Sequence, residues 1–175
     1  AANIYVGIDW LSSVAFEHTA KSGRRVIVLG GGNTAMDCCR TARRLGGEDV
    51  KVIVRSEFNK MKASPWEKED AMAEGIPILN NHVPKAFLHR DGRLVGMSFE
   101  LVEVRYDDKG RRSLVPTGDP DELVECDEVL IAVGQENAFP WIEDDCGIAF
   151  DKWGMPVLDE KTLQSTRQNV FFGGD

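Results

Sequence analysis

Gly30, Gly32 and Ala35 stand at the spacing G-x-G-x-x-A, directly after the short apolar run Arg25-Val26-Ile27-Val28-Leu29. Each small residue has its own task in such a turn. The first glycine lets the chain turn tightly out of a strand. The second removes a side chain so that backbone N–H groups can approach an anion, and the third position stays small so that a helix packs on the strand. An anion held there meets the unpaired amides and positive end of that helix. The chemistry that suits this turn is binding of a pyrophosphate, and so of a dinucleotide. The end of the next strand separates the two common dinucleotides: an acid there holds a ribose 2′-hydroxyl, whereas a base accommodates a 2′-phosphate. Val54-Arg55-Ser56 stands at that point, with Lys60 and Lys62 beyond it and Glu57 as the one acid nearby. Arg55 is planar and always charged, which suits a phosphate, and favours NADP over NAD. Lys62 could cross the same phosphate if its loop folds back, or be solvated; Lys60 reads as a solvated loop charge.

The flanking sequence supplies elements that can hold these residues. Arg25–Leu29 is a β-branched run of the kind buried in a parallel sheet. From Asn33 to Leu45, small and apolar residues fall at 35, 38, 39, 42 and 45, one stripe of an amphipathic helix that Gly46-Gly47 ends. Val50–Val54 is a second strand, so the three elements predict a βαβ unit. A second helix is expected from Ser64-Pro65-Trp66-Glu67 to about Glu74, with Ser64 and Glu67 as a capping box and Pro65 in the first turn. Ile76–Leu79 reads as a short strand. Alternation then changes to that of hairpins: Ala86–His89, a turn at Asp91-Gly92, Leu94–Tyr106, a turn at Asp107–Gly110, and Arg111–Val115. The parallel sheet is expected to resume at Glu128–Val133, closed by Gly134. The fold class is therefore α/β, a Rossmann-like parallel sheet with a βαβ dinucleotide-binding unit and an inserted antiparallel β-meander. Residues 1–23 read as a lead-in segment and 24–175 as the nucleotide-binding domain.

Composition narrows the function classes. The 175 residues carry 21 basic and 29 acidic side chains and 42% apolar residues, an ordinary globular balance. Residues 1–62 hold 10 basic against 6 acidic side chains, a net +4, and residues 63–175 hold 11 against 23, a net −12. The positive third thus surrounds the glycine-rich turn, where it favours an anionic ligand. The overall acidity, without basic residues interleaved with aromatics, disfavours nucleic acid. No run approaches the length of a transmembrane helix, and no signal peptide is expected. Cys38, Cys39, Cys126 and Cys146 include no C-x-x-C, so neither a redox disulfide, a zinc site nor an iron–sulfur cluster is encoded; buried, reduced thiols of a cytoplasmic protein are expected. His18, His82 and His89 sit apart and read as structural or surface residues. Trp66, Trp141 and Trp153 read as core or rim packing, and the acidic stretch Asp119–Glu128 as a solvated turn. The start at Ala1 and the end at Phe171-Phe172-Gly173-Gly174-Asp175 suggest a piece of something larger.

The run Val26–Gly47 (VIVLGGGNTAMDCCRTARRLGG), with the Arg55 loop, resembles the NADPH-binding domain of the glutamate synthase small (beta) subunit. The same domain type occurs in dihydropyrimidine dehydrogenase and related FAD- and NADPH-linked oxidoreductases. The likeness continues through Asp127–Gln135, Trp153-Gly154-Met155-Pro156, Thr162–Thr166 and Val170–Asp175. The resemblance implies that Gly30, Gly31, Gly32, Asn33, Thr34 and Ala35 form the cofactor-binding turn, with Asn33 and Thr34 bordering the pyrophosphate of NADPH. It assigns the 2′-phosphate to Arg55, with Lys62 at a basic position of some members. Ser56 departs from the second arginine that many members carry there, which weakens the distinction between NADPH and NADH. Gly134 would let the backbone approach the bound cofactor.

Gly174-Asp175 resembles the second FAD motif, whose aspartate meets the flavin's ribityl or pyrophosphate part. In such proteins the NADPH domain is inserted into an FAD domain, and an iron–sulfur region precedes it. The resemblance therefore implies hydride transfer from NADPH to FAD, and onward electron transfer through iron–sulfur clusters of a partner domain or larger subunit. No catalytic side chain and no metal ligand is expected in this chain, which by itself would be catalytically silent. Two rivals are a non-catalytic dinucleotide-binding or sensing module, disfavoured by the flavin-type ending, and a thioredoxin reductase-like disulfide reductase, disfavoured by the lack of C-x-x-C.

Overall fold

The computed structural model describes residues 2–134, 139–143 and 145–173. The chain divides into two compact units, Ala1–Gly134 and Gln135–Asp175. In the first unit, β1 (Ile4–Val6), α1 (Gly7–Ala15), β2 (Arg25–Leu29), α2 (Asn33–Arg44) and β3 (Asp49–Ile53) follow one another. A 3₁₀ turn (Phe58–Lys60), α3 (Pro65–Ala73) and β4 (Ile78–Leu79) come next. The meander comprises β5 (His82–Arg90), β6 (Arg93–Tyr106), β7 (Arg112–Pro116) and β8 (Glu122–Glu125), after which β9 (Glu128–Ile131) returns to the first sheet.

The five-stranded sheet has the order β1-β9-β2-β3-β4, and every neighbouring pair is parallel. Its apolar strands are continuous runs because both faces are covered. Successive β2 side chains point to opposite faces. Val26 and Val28 meet Ala35, Met36, Cys38, Cys39 and Ala42 of α2 on one side. Ile27 and Leu29 meet Leu94, Met97 and Phe99 of β6 on the other. Each such side chain taken from water contributes about 1.5–3 kcal/mol, which fixes β2 and hence the turn that leaves it.

The antiparallel sheet centres on the 14-residue β6, which pairs with β5, β7 and β8. Asp91 and Gly92 have φ of 51° and 75°, the two positive values that a two-residue hairpin turn needs.

Several expectations change. Residues 1–23, read as a lead-in, contribute β1 at the sheet edge and α1, whose Trp10 is 3% exposed. The backbone of α1 comes so close to α2 that a Cβ on Gly7 would stand 2.9 Å from the Cys38 Sγ. The acidic stretch is not one solvated turn: Glu122–Glu125 is a strand, and Glu128 is buried where β9 begins. Ser64 makes no side-chain cap on α3, and Glu67 instead accepts from Arg40 at 2.9 Å. Trp66, Trp141 and Trp153 are exposed, so none is in the core, while Trp141 packs at the rim, stacked on Phe172.

In the second unit, three isolated bridges (Phe150–Pro156, Leu158–Ser165, Gln164–Phe171) link short turns. The Asp151 and Asp159 carboxylates accept backbone N–H groups at those turns. Phe139, Trp141, Phe150 and Phe172 form an aromatic group. Gln135, Gly174 and Asp175 lie outside the described residues.

Candidate dinucleotide site

The glycine-rich turn leaves β2 at the C-terminal edge of the parallel sheet, where ligands of open α/β sheets bind. Its three glycines differ in what surrounds them. Gly30 has φ +138°, and a Cβ there would lie 2.0 Å from the Ala132 carbonyl oxygen, just past β9. The turn is that tight because the Ala132 N–H donates to the Leu29 carbonyl at 2.7 Å. A Cβ on Gly31 would stand 3.2 Å from Val54 and 3.3 Å from Met61. Gly32 alone faces open space.

Helix α2 begins without help. Its N-cap Gly32 offers no side chain, and no acid stands in its first turn. The Gly32 carbonyl accepts from the N–H groups of Ala35 and Met36 at 3.0 and 3.3 Å. The amides before them have no helical partner and point their partial positive charge into the space above Gly32. Thr34 is half-buried, and its hydroxyl makes no hydrogen bond among the described residues. Ala35 is fully buried against the sheet.

The segment after β3 folds back onto this turn. The Ala63 N–H donates to the Gly31 carbonyl at 2.9 Å, and the Ser64 N–H donates to Asn33 Oδ1 at 2.9 Å. Met61 and Ala63 are buried beside Gly31 and Val54, while Lys62 between them is exposed. Arg55 is exposed just beyond buried Val54. The Ser56 carbonyl accepts from Asn80 Nδ2 at 2.9 Å, which anchors the start of the loop. Among the described residues Arg55, Lys60 and Lys62 form no ion pair. Helix α3 is pinned to α2 by Arg40, which pairs with Glu67, Asp70 and Glu74 at 2.9, 3.0 and 2.8 Å.

This set fits the phosphates of a dinucleotide: uncapped amides, an open Cβ position, unpaired cations, and no carboxylate in the helix's first turn. Gly134 has open space where a side chain would stand. The Asn33–Ser64 hydrogen bond escapes sequence reading, because a cap partner is sought within a few residues and this one lies 31 residues away. The Arg40 cluster did leave a trace, with Arg40 and Arg44 on one face of α2 and Glu67, Asp70 and Glu74 on one face of α3.

Burial pushes the thiols of Cys38, Cys39 and Cys126 up to about 12, so none is a thiolate at neutral pH. Among the described residues no group of three His, Cys, Asp or Glu side chains is placed to hold a metal ion.

The sequence profile of the pyridine nucleotide-disulphide oxidoreductase family matches residues 3–175. The NADPH-Fe(3+) oxidoreductase subunit beta of Geobacter sulfurreducens is 34% identical over 97% of this chain, and 28% of that protein is covered. The glutamate synthase [NADPH] small chain of Halomonas elongata is 36% identical over 91% of this chain and 34% of its own length. The chain thus spans about a third or less of these relatives. Among solved structures, T. acidophilum thioredoxin reductase superposes with a TM-score of 0.68 at 19% identity, over 99% of this chain and 49% of that one. At that identity the likeness is one of fold. Among the described residues no helix is long and apolar enough to cross a membrane.

Proposed function

Since the chain belongs to the pyridine nucleotide-disulphide oxidoreductase family, we propose that it is the NADPH-binding part of a flavin-dependent oxidoreductase of the glutamate synthase small-chain type. The observation that carries this reading is an uncapped helix start onto which the loop of Arg55, Lys60 and Lys62 folds back, with none of these cations in an ion pair among the described residues. The α2 amides hold the pyrophosphate above Gly32, with the Thr34 hydroxyl free to donate beside it. Arg55 presents its planar fork to the 2′-phosphate. Lys62 is carried to the same side by the folded-back loop. Lys60 adds to the local field rather than to a fixed contact. Ser56 supplies no charge, so discrimination against NADH falls on Arg55 and Lys62.

NADPH, when bound, supplies a hydride from its nicotinamide to a flavin. Gly134 leaves room for the nicotinamide half to pass the end of β9. Placement and electrostatics are what the protein contributes; no side chain of this chain acts as acid, base or nucleophile. Gly174 and Asp175 are assigned to the flavin side, FAD being completed by further sequence of the intact protein. The names of the relatives, a subunit beta and a small chain, support electron delivery to a further subunit; iron–sulfur clusters are the carriers that the resemblance implies. Domain 24–175 alone lacks half of that active site and is inactive by itself. The free thiols Cys38, Cys39 and Cys126 are in keeping with the reducing cytoplasm.

Calorimetric titration of the chain with NADPH and NADH tests the reading. NADPH should bind at least about tenfold tighter, as one charge-assisted phosphate contact implies. Equal affinities, or a preference for NADH, would overturn it.

A further inference from the structure

Asn33 stands at the first position of α2, where its side chain would be expected to face the pyrophosphate. Its Oδ1 is already engaged: it accepts the Ser64 N–H at 2.9 Å. One residue earlier, the Ala63 N–H donates to the Gly31 carbonyl at 2.9 Å. These two hydrogen bonds tie consecutive residues of the returning loop to alternate residues of the glycine-rich turn. Lys62 immediately precedes the tied pair. Met61 is 8% and Ala63 4% exposed, and Met61 has extended backbone (φ −66°, ψ 142°). Lys62, between these two buried neighbours, is exposed to solvent, and its backbone is held by the tied pair that follows it.

We propose that Asn33 is a positioning residue for cofactor specificity. Its side-chain oxygen acts as a remote cap that holds the 57–64 loop against the glycine-rich turn, and so fixes Lys62 where a 2′-phosphate is carried. This rests on the reading of the site as one for NADPH. The exposed lysine has a flexible four-carbon stem, so the cost of ordering it falls on whatever anchors its backbone. Asn33 and Ala63 supply that anchor before any ligand arrives, which makes the contact cheaper to form. NADH lacks the phosphate and gains nothing from the tether. Asn33 thus changes the ratio of the two affinities without touching the group that distinguishes them.

The test is a double-mutant cycle read as the ratio of NADPH to NADH affinity, by calorimetry on the chain. Asn33→Ala should lower the ratio about fivefold, the size of a lost cap hydrogen bond. Lys62→Ala should lower it about tenfold, the size of a charge-assisted phosphate contact. In the Lys62→Ala background, Asn33→Ala should have no further effect on the ratio, since both act through one contact. With the Asn33 side chain left in place, Ser64→Pro removes the donor of the hydrogen bond. Its φ of −57° already suits proline, and the helix after it is unchanged, so it should reproduce the Asn33→Ala ratio. Hydrogen exchange at the Ser64 amide should accelerate in Asn33→Ala while the amides of β2 keep their protection.

Three results would overturn the proposal: an equal loss of both nucleotides in Asn33→Ala, a normal ratio in Ser64→Pro, or an Asn33→Ala effect that persists without Lys62. A wild-type chain that does not prefer NADPH would instead remove the underlying reading, and this shows before any variant is made.

Discussion

The two edges of the parallel sheet are built from the same residue types and differ in how their charges are matched. At the N-terminal edge, Arg25 pairs with Asp127 at 2.6 Å and also with Glu125, and Arg24 pairs with Glu48 at 2.6 Å. Glu128 Oε2 accepts the Gly23 N–H at 2.6 Å. The Arg25 guanidinium holds the Asp127 carboxyl below the usual carboxylate range. At the C-terminal edge, Arg55, Lys60 and Lys62 form no ion pair among the described residues, although Glu57 lies in the same loop, and the first amides of α2 have no helical partner. The N-terminal edge also has a depression of about 800 Å³ lined by Ser22, Gly23, Arg24, Arg25, Glu48, Asp49 and Asp127. Space alone would point there. Matched ions leave no field for an anion, however, whereas unmatched cations and a helix start do. Charge left unpaired is the better guide to the site, and charge already paired marks the structural seam.

Four substitutions can sharpen or break this contrast. Gly30→Ala should have the largest effect, because it meets the Ala132 carbonyl and demands a positive φ; a loss of about 3 kcal/mol is expected in denaturant unfolding. Arg55→Ala should leave stability unchanged and weaken NADPH about 30-fold, with NADH nearly unaffected. A uniform loss would make Arg55 structural and erase the difference between the edges. Gly32→Ala points a methyl group into open space, so unfolding should change by no more than about 1 kcal/mol, the difference between glycine and alanine at an N-cap. Both nucleotides should nonetheless weaken about fivefold, as the pyrophosphate is displaced from the amides. An unaltered affinity in Gly32→Ala would place the phosphates elsewhere.

The smallest effect belongs to Glu128, on the opposite edge. Its Oε1 has no hydrogen-bond partner among the described residues, and burial pushes its carboxyl above the ordinary value. A raised folded pKa means that ionisation costs stability. The penalty begins as pH rises through the unfolded value, near ~4.3, and is complete above the raised folded one. Glu128→Gln should therefore stabilise the chain by about 1 kcal/mol at pH 7, a gain that vanishes below that lower value. Melting curves across pH check this, and a destabilised Gln variant at neutral pH would mean that the carboxylate is needed ionised.

The elements around the turn were legible because each has a strong local signal. The stripe at 35, 38, 39, 42 and 45 differs from the buried set of α2 by Met36 alone, with Leu45 packed at the margin. The continuous apolar run of β2 and the Asp91-Gly92 turn were equally plain. What stayed hidden depends on partners distant in sequence. Strand β1 has three residues, none buried, and is fixed by pairing Ile4–Val6 with Val129–Ile131. Strand β8 buries Val124 alone among four residues, too little alternation to outweigh its acids. Trp10 and the exposed Trp66 have the same side chain, and only the approach of α1 to α2 separates them. In the candidate site, the glycine positions and Arg55 were readable. The clasp from Ala63 and Ser64 was not, since backbone donors carry no sequence mark.

An amide-resolved NMR titration with NADPH tests the contrast between the edges most directly. Shifts are expected at Gly31–Thr34, Arg55 and Lys62–Ser64, with Ser22–Arg25, Glu48–Asp49 and Asp127 unmoved. Shifts confined to the latter group would contradict that contrast.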